Sequence, residues 1–347
     1  MKTKIQDMTS GSPGRLIILF AIPLMLGNIC QQLYTMVDTM VVGQIAGVEA
    51  LAALGAVDFL LWVVTGISTG LTQGFSIQLS QYYGAKDFEN LRKSLAHSYR
   101  LTAFIAVGVF ILSQSFAALV LTGLHTPSNI IGMSLLYLRI IFCGIPATAA
   151  YNMFAAALRA MGNSKTPLTA MIIASVLNIS LDILFVAGFG WGVAGAAIAT
   201  VIAQSFSAVY CFLILRRIDI VHLSRADFMT ATGMTARLMK LGIPVVFQNI
   251  IIGVGGLVVQ YVINGYGFLF VAGFTATNKL YGLLEMAAIS YGYAIVTYVG
   301  QNLGAGRIDR IRKGVRSSML LSLLTSLIIS AAIFLFGKNY PLTFHLR

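Results

Sequence analysis

The sequence predicts an all-α polytopic membrane protein built from two similar units. Hydrophobic residues make up 58% of its 347 residues and charged residues only 10%, whereas soluble domains contain about 25% charged residues. Long apolar stretches follow one another along the chain, and each is long enough to cross a bilayer as a helix. Short motifs also recur at a long, nearly constant separation, a pattern that in membrane proteins is typical of transporters.

Nine apolar stretches of about 20 residues or more are predicted to span the membrane. Helices are expected because strands of a membrane barrel would be about ten residues long and would alternate in polarity. Gly, Pro, Asn or charged residues separate the stretches. The predicted spans lie near residues 16–40, 51–80, 95–120, 131–158, 167–187, 193–215, 238–263, 271–300 and 315–336.

The repeated motifs indicate a duplicated unit. Pro23 and Asn28 recur in the second part of the chain as Pro244 and Asn249, and residues 81–86 recur in nearly the same register as residues 301–306. The first unit contains six predicted spans, so the chain returns to the side on which it started. The two units should therefore lie parallel, related by an axis along the membrane normal.

This repeat divides the chain into three segments. Residues 1–217 are expected to form an N-terminal lobe of six helices, residues 218–236 a cytoplasmic linker, and residues 237–347 a partial C-terminal lobe of three helices. Two complete units would need twelve helices. The chain is therefore expected to stop before a tenth helix, and the alternative is a natural protein of nine spans.

The basic residues predict the orientation. Lys and Arg precede the first span and follow the even-numbered spans, whereas the opposite loops 41–50, 122–130, 188–192 and 264–270 contain neither. The N-terminus is therefore expected in the cytoplasm. The net charge of +12 is explained by attraction to anionic lipid of the inner leaflet and does not call for nucleic acid.

Four polar side chains are predicted to lie at one depth inside the first unit. Asp38 lies near the outer end of the first span, and Asp182 and Thr200 lie in the fifth and sixth. Asn178 precedes Asp182 by four residues, which places both on one helix face. Carboxylates at this depth are costly and usually functional, and two close together would hold a proton or a cation between them. Oxygen ligands alone suit H⁺ or Na⁺ and not zinc. The alternative is that these groups only hold helices together.

Several motifs lie in or beside the predicted spans, namely Ile22-Pro23 with Val37-Asp38-Thr39, residues 81–85, residues 157–163, residues 178–182 and residues 195–200. Together they make the chain resemble the multidrug and toxic compound extrusion (MATE) family, of the bacterial multidrug-efflux type, over essentially its whole length. The resemblance implies two six-helix lobes around a central cleft in a bacterial cytoplasmic (inner) membrane. It implies export of organic cations in exchange for inward H⁺ or Na⁺, with no other cofactor.

The same resemblance implies which residues bind the coupling ion. Asp38, Asn178, Asp182 and Thr200 correspond to the cation site of the family's N-terminal lobe, and Asn152 is a weaker match to an asparagine near that site.

Further positions in the spans are expected to form a hinge and a substrate cleft. Pro23 removes one backbone bond from the first helix, which could then bend when Asp38 is neutralised; a static kink is the alternative. Glu285 lies mid-way along the eighth span and is expected to contact a cationic substrate or a polar neighbour. Gln248 and Asn249 of the seventh span are expected to line the same cleft.

Other functions are compatible with this pattern. A flippase for lipids or lipid-linked oligosaccharides would share the architecture but should carry cationic residues in its cleft, and a non-transporting fragment is a further alternative. An enzyme is not expected, because no His-Glu-x-x-His motif occurs and all four histidines lie at span ends or in loops. The expected protein is a monomer whose partners are organic cations and membrane lipid. The sequence does not identify the exported compound or choose between H⁺ and Na⁺.

Overall fold

The computed structural model describes residues 5–124, 126–229, 233–264 and 268–337, with backbone alone at residues 257, 260–261, 263–264, 268–281, 283–284, 332–333 and 336–337. The described residues form α-helices joined by short connections. In chain order the helices are α1 (Pro13–Ile45), α2 (Val48–Gly55), α3 (Asp58–Gly84), α4 (Phe88–Gly123), α5 (Ile131–Cys143), α6 (Ile145–Ala160), α7 (Lys165–Asp182), a π-helical turn (Ile183–Gly188), α8 (Gly192–Leu215), a 3-10 turn (Asp219–Val221), α9 (Arg225–Met229), α10 (Met234–Asn264), α11 (Phe268–Gly304) and α12 (Ile308–Gly337).

The predicted all-α membrane fold is confirmed. Seven helices in the described ranges are long and apolar enough to cross a membrane, and α5 with α6 forms an eighth that is bent by 47°. The predicted eighth span falls on α11, so each of the nine predicted stretches overlaps a helix, while nine as the number of spans stays a prediction. Pro146 in the first turn of α6 lacks a backbone N–H, which accounts for the bend within the fourth predicted span.

The N-terminal unit is a bundle whose helices are not in simple sequence order. Helix α1 packs on α7 and α8, while α3 packs on α4 and α6. The second unit contacts the first mainly through α10 on α3 and through α11 on both α1 and α3. Pro23 and Pro244 lie inside α1 and α10, which continue through them.

Contacts between the two units have the reciprocal pattern of a two-fold axis. A side chain at Gly84 would meet the backbone of Gln301, and one at Gly304 would meet the backbone of Gln81. These partners occupy equivalent positions of the repeat, since Gln81 recurs as Gln301 and Gly84 as Gly304. An exchange of equivalent partners is what a two-fold axis between parallel units produces. The axis therefore passes between the ends of α3 and α11.

The helices expose apolar side chains outward and enclose polar ones. Phe104, Leu119 and Ile328 are among the many exposed large hydrophobic residues, as expected for helices that face lipid. Buried serines, threonines and a glutamine lie on α3 and α4. The polar side chains that could bind an ion or substrate therefore lie inside the bundle.

Candidate functional site

Three helices of the first unit bring the predicted cation ligands together. Helices α1, α7 and α8 pack on one another and carry Asp38, Asn178 with Asp182, and Thr200 respectively. Asn178 Nδ2 donates a hydrogen bond of 3.4 Å to Thr200 Oγ1. Asp182 lies within electrostatic range of Asp38. The two carboxylates thus lie in the same part of the first unit although they are far apart in the sequence.

Burial and missing partners make this site chemically unusual. Asp38 is 5% exposed, and Asn178 and Asp182 are fully buried. Asp38 Oδ1, Asn178 Oδ1 and both carboxylate oxygens of Asp182 have no hydrogen-bond partner among the residues that the structure describes. Leaving a buried acceptor unpaired costs about 1–3 kcal/mol, and more for a charged group. A proton, a small cation or water would remove that cost, and the available ligands are all oxygens.

Three residues around the carboxylates were not predicted from the sequence. Gln204 Nε2 on α8 donates to Tyr34 Oη on α1 over 3.3 Å, and Tyr137 on α5 is buried within electrostatic range of both carboxylates. Tyr34 precedes Asp38 by four residues and Gln204 follows Thr200 by four. The spacing that linked Asn178 to Asp182 would therefore have found Tyr34 and Gln204, but no local spacing points to Tyr137.

A break in the regular helix follows Asp182 directly. The α-helix α7 ends at Asp182, and residues Ile183–Gly188 continue as a π-helical turn. π-Helical turns are rare and occur frequently at functional sites. Here the turn begins beside the carboxylate whose two oxygens have no partner in the described structure, so the irregular backbone and the polar site coincide.

The structure places the remaining predicted residues elsewhere. Asn152 Nδ2 on α6 donates to Thr69 Oγ1 of α3 over 3.2 Å, a contact within the bundle. Asn249 Nδ2 donates to the Gly66 carbonyl over 3.0 Å, so its side chain joins α10 to α3. Gln248 and Glu285 are exposed on α10 and α11. Their part in a substrate cleft stays a prediction.

Metal-binding clusters of the usual kind are not found in the parts of the chain that the structure describes. No group of three or more His, Cys, Asp or Glu side chains is placed to hold a metal ion there. Two carboxylates with an amide and a hydroxyl suit H⁺ or Na⁺.

Comparison with known proteins decides the family. The MatE family profile matches residues 23–184 and 244–346, which is most of the chain and includes both repeats. The chain belongs to the MATE family. It is 32% identical over 308 residues to the "Probable multidrug resistance protein YpnP" of Bacillus subtilis (strain 168), covering 89% of this chain and 69% of that protein. MATE proteins are transporters, so the chain is a multi-pass membrane protein of a transporter family.

Two solved structures share the fold. One is an outward-facing conformation of a multidrug resistance MATE family transporter, with a TM-score of 0.89 and 23% identity, covering 98% of this chain and 76% of that one. The other is a transporter from Pyrococcus furiosus, with a TM-score of 0.90 and 23% identity, covering 98% and 75% respectively. That transporter is described as having a binding pocket of reverse polarity, which suggests a different function. A shared fold is therefore compatible with different pockets, and the substrate has to be argued from the residues.

Proposed function

We propose that this chain functions in the efflux of organic cations in exchange for H⁺ or Na⁺, by alternating access between two lobes. The observation that carries the proposal is the pair of buried carboxylates, Asp38 and Asp182, on separate helices of one MATE unit. A charged group held in a membrane protein is costly and usually has a function. Binding of the driving ion between the carboxylates would relieve their repulsion.

The coupling would work by a change in the packing of three helices. Ion entry would let α1 and α7 close around the carboxylates, and ion loss would let them separate. Because α1 also packs on α11 and α12 of the second unit, a shift of α1 would reach the interface between the units. This is the alternating access expected of parallel repeats, with Pro23 as the proposed hinge in α1.

The proposed orientation places the N-terminus in the cytoplasm of a bacterial cell, with the protein in the cytoplasmic membrane. Its support is the distribution of Lys and Arg, which leaves the opposite loops without basic residues. An organic cation as substrate is supported by the carboxylates of the first unit and by the exposed Glu285, and by the names of the multidrug resistance relatives.

Transport in proteoliposomes tests this function. The purified protein is reconstituted, and uptake of a fluorescent organic cation is measured under an imposed pH gradient, an imposed Na⁺ gradient, or neither. Asp38→Asn and Asp182→Asn should each abolish gradient-driven uptake, since either change removes one charge of the pair. Asp219→Asn, on an exposed linker position, is the matched control and should transport normally.

The results separate the alternatives. Normal transport by both site variants would refute the coupling site. An absence of cation uptake by the parent protein, with gradient-independent scrambling of a labelled lipid instead, would favour the flippase. Dependence on only one of the two gradients would identify the driving ion.

A further inference from the structure

A short segment ahead of α1 lies between the two units. We name residues Gln6–Ser10 the N-terminal strap. Met8 is fully buried and packs with Ile17, Phe20 and Tyr298 in one apolar cluster. The strap precedes the first membrane helix, a position where chain ends are usually loose unless contacts hold them. Burial of a large side chain there needs an explanation.

Hydrogen bonds tie the strap to both units. On the side of the first unit, Gln6 N–H donates to the Gly162 carbonyl over 3.1 Å. On the side of the second, Met8 N–H donates to Gln301 Oε1 over 3.0 Å, and Asn302 Nδ2 donates to the Met8 carbonyl over 2.9 Å. The backbone of Met8 thus makes the kind of paired contacts that a strand makes in a sheet, but with side chains of α11.

Gln301 connects the strap, the first unit and the second unit. Its side chain is fully buried; Oε1 accepts from Met8, and Nε2 donates to the Ala160 carbonyl at the end of α6 over 2.8 Å. One amide of the second unit therefore holds the strap and the first unit together. The guanidinium of Arg159 lies 4.8 Å from the ring centre of Tyr293 and adds a further contact between the units at this end.

Local features hold the strap in shape. Gly162 has a φ of +89°, and a Cβ there would collide with the Gln6 carbonyl, so glycine is required for this approach. Burial opposes ionisation of Asp7, but hydrogen bonds from Thr9 and Ser10 lower the pKa of its carboxyl below the ordinary 3.8. The ionised Asp7 carboxylate therefore stabilises the turn at pH values above 3.8. This stabilisation is lost only as the pH falls through the lowered pKa. At neutral pH it persists.

The repeat equivalent of Met8 has a different environment. Met8-Thr9 recurs in the register of Pro23 and Pro244 as Met229-Thr230, yet Met229 is 77% exposed whereas Met8 is fully buried. Near Met229, Asp227 instead accepts from Ser224 and lies 3.9 Å from Arg92. Sequence similarity alone would make the two segments equivalent. At this position of the repeat the two units therefore differ, since Met8 is buried and Met229 is exposed.

We propose that the N-terminal strap is a lock that holds the two units together at the face carrying the chain's N-terminal segment, and that opening of this face requires Met8 to withdraw. The inference rests on the proposed alternating access. Separation of the ends of α3 and α11 would pull Gln301 away from Ala160, and Met8 would then lose contact with one unit or the other. The strap therefore opposes opening and sets how often this face is open.

Labelling of a buried cysteine tests the lock. Thr297, 3% exposed on α11 and one turn before Gln301, is replaced by cysteine after Cys30, Cys143 and Cys211 are replaced by alanine. Inside-out vesicles are exposed to a membrane-impermeant maleimide, and the labelling rate reports the open fraction. Met8→Ala and Gln301→Ala should each raise the rate about tenfold or more, because a buried side chain or a shared hydrogen-bond partner is lost.

Two further variants serve as controls for the labelling test. Met229→Ala, the repeat equivalent at an exposed position, should leave the labelling rate unchanged. Asp7→Ala disturbs only the exposed turn of the strap and should still fold, so it should raise the rate by a smaller factor, about threefold. Equal rates for the parent, Met8→Ala and Asp7→Ala would overturn the lock, and so would an equal rise with Met229→Ala.

Failure of the lock and failure of the proposed function give different results. If labelling rises in the strap variants while no organic cation is transported under any gradient, the lock stands and the transport proposal fails. If labelling does not change while Asp38→Asn abolishes transport, the function stands and the lock fails.

Discussion

Gly74 lies where α3 and α10 touch backbone to backbone, and its replacement gives a sharp test of the interface between the units. A Cβ added at Gly74 would collide with Gly242 Cα and would lie 2.6 Å from Gly242 N and 2.7 Å from the Leu241 carbonyl carbon. Ordinary contacts between carbon atoms are about 3.5–4.0 Å. Because these neighbours are backbone atoms, α3 and α10 would have to separate by about 1 Å.

The loss of stability caused by Gly74→Ala can be estimated from that separation of α3 and α10. A gap of about 0.5–1 Å already loses a quarter to a half of a dispersion contact, and overpacking of this kind typically costs about 1–3 kcal/mol. Alanine in a helix gains up to about 1 kcal/mol over glycine. Taking the upper end of the overpacking cost, Gly74→Ala should destabilise the protein by about 2 kcal/mol.

The assay is thermal inactivation in detergent, read as the monodisperse fraction after stepwise heating. At about 2–4 °C per kcal/mol, Gly74→Ala should lower the midpoint by about 4–8 °C. Gly108→Ala is the control, since it lies in α4 with nothing within 4 Å of its added Cβ, and it should be neutral or slightly stabilising. Gly242→Ala should have an intermediate effect because its neighbours are ends of the Leu71 and Phe75 side chains. A Gly74→Ala protein as stable as Gly108→Ala would refute the reasoning.

Two further predictions concern the first unit. Thr200→Val removes the hydroxyl that accepts a hydrogen bond from Asn178. The concentration of driving ion needed for half-maximal transport should therefore rise about tenfold. An unchanged concentration in the proteoliposome assay would exclude Thr200 as a ligand. Pro23→Ala restores a backbone bond in α1, so transport should fall. Bound Na⁺ or protons should still stabilise the variant against heating. Full transport would show that Pro23 is only a static kink.

Much of the site could be predicted because its signals are local. Asn178 and Asp182 share a helix face through their spacing, and a carboxylate inside an apolar stretch stands out wherever it occurs. The repeat of Pro23 as Pro244 fixes the correspondence of α1 with α10, and the structure shows Asn28 and Asn249 both at the interface between the units, bonded to Ser290 and Gly66. For Asn249, this contact gives a packing role that the sequence did not indicate.

Other features have no local signal. The π-helical turn after Asp182 lies in an ordinary apolar stretch of residues. Tyr137 reaches the site only because α5 packs on α8. The interruption between α2 and α3 at Ala56 and Val57 falls inside the second predicted span, where the apolar pattern continues. Each depends on neighbours that are distant in the sequence.

The sequence by itself determined the membrane environment, the helical class, the duplication and the two acidic residues, because hydropathy, charge and repeated motifs depend only on the order of residues. Only the tertiary structure decided which helices meet, which oxygens lack partners among the described residues, and which of the two repeat-equivalent methionines is buried. Met8 and Met229 show the reason: methionines at equivalent positions of the repeat are buried in one place and exposed in the other, since burial is a property of the surface that a residue packs against.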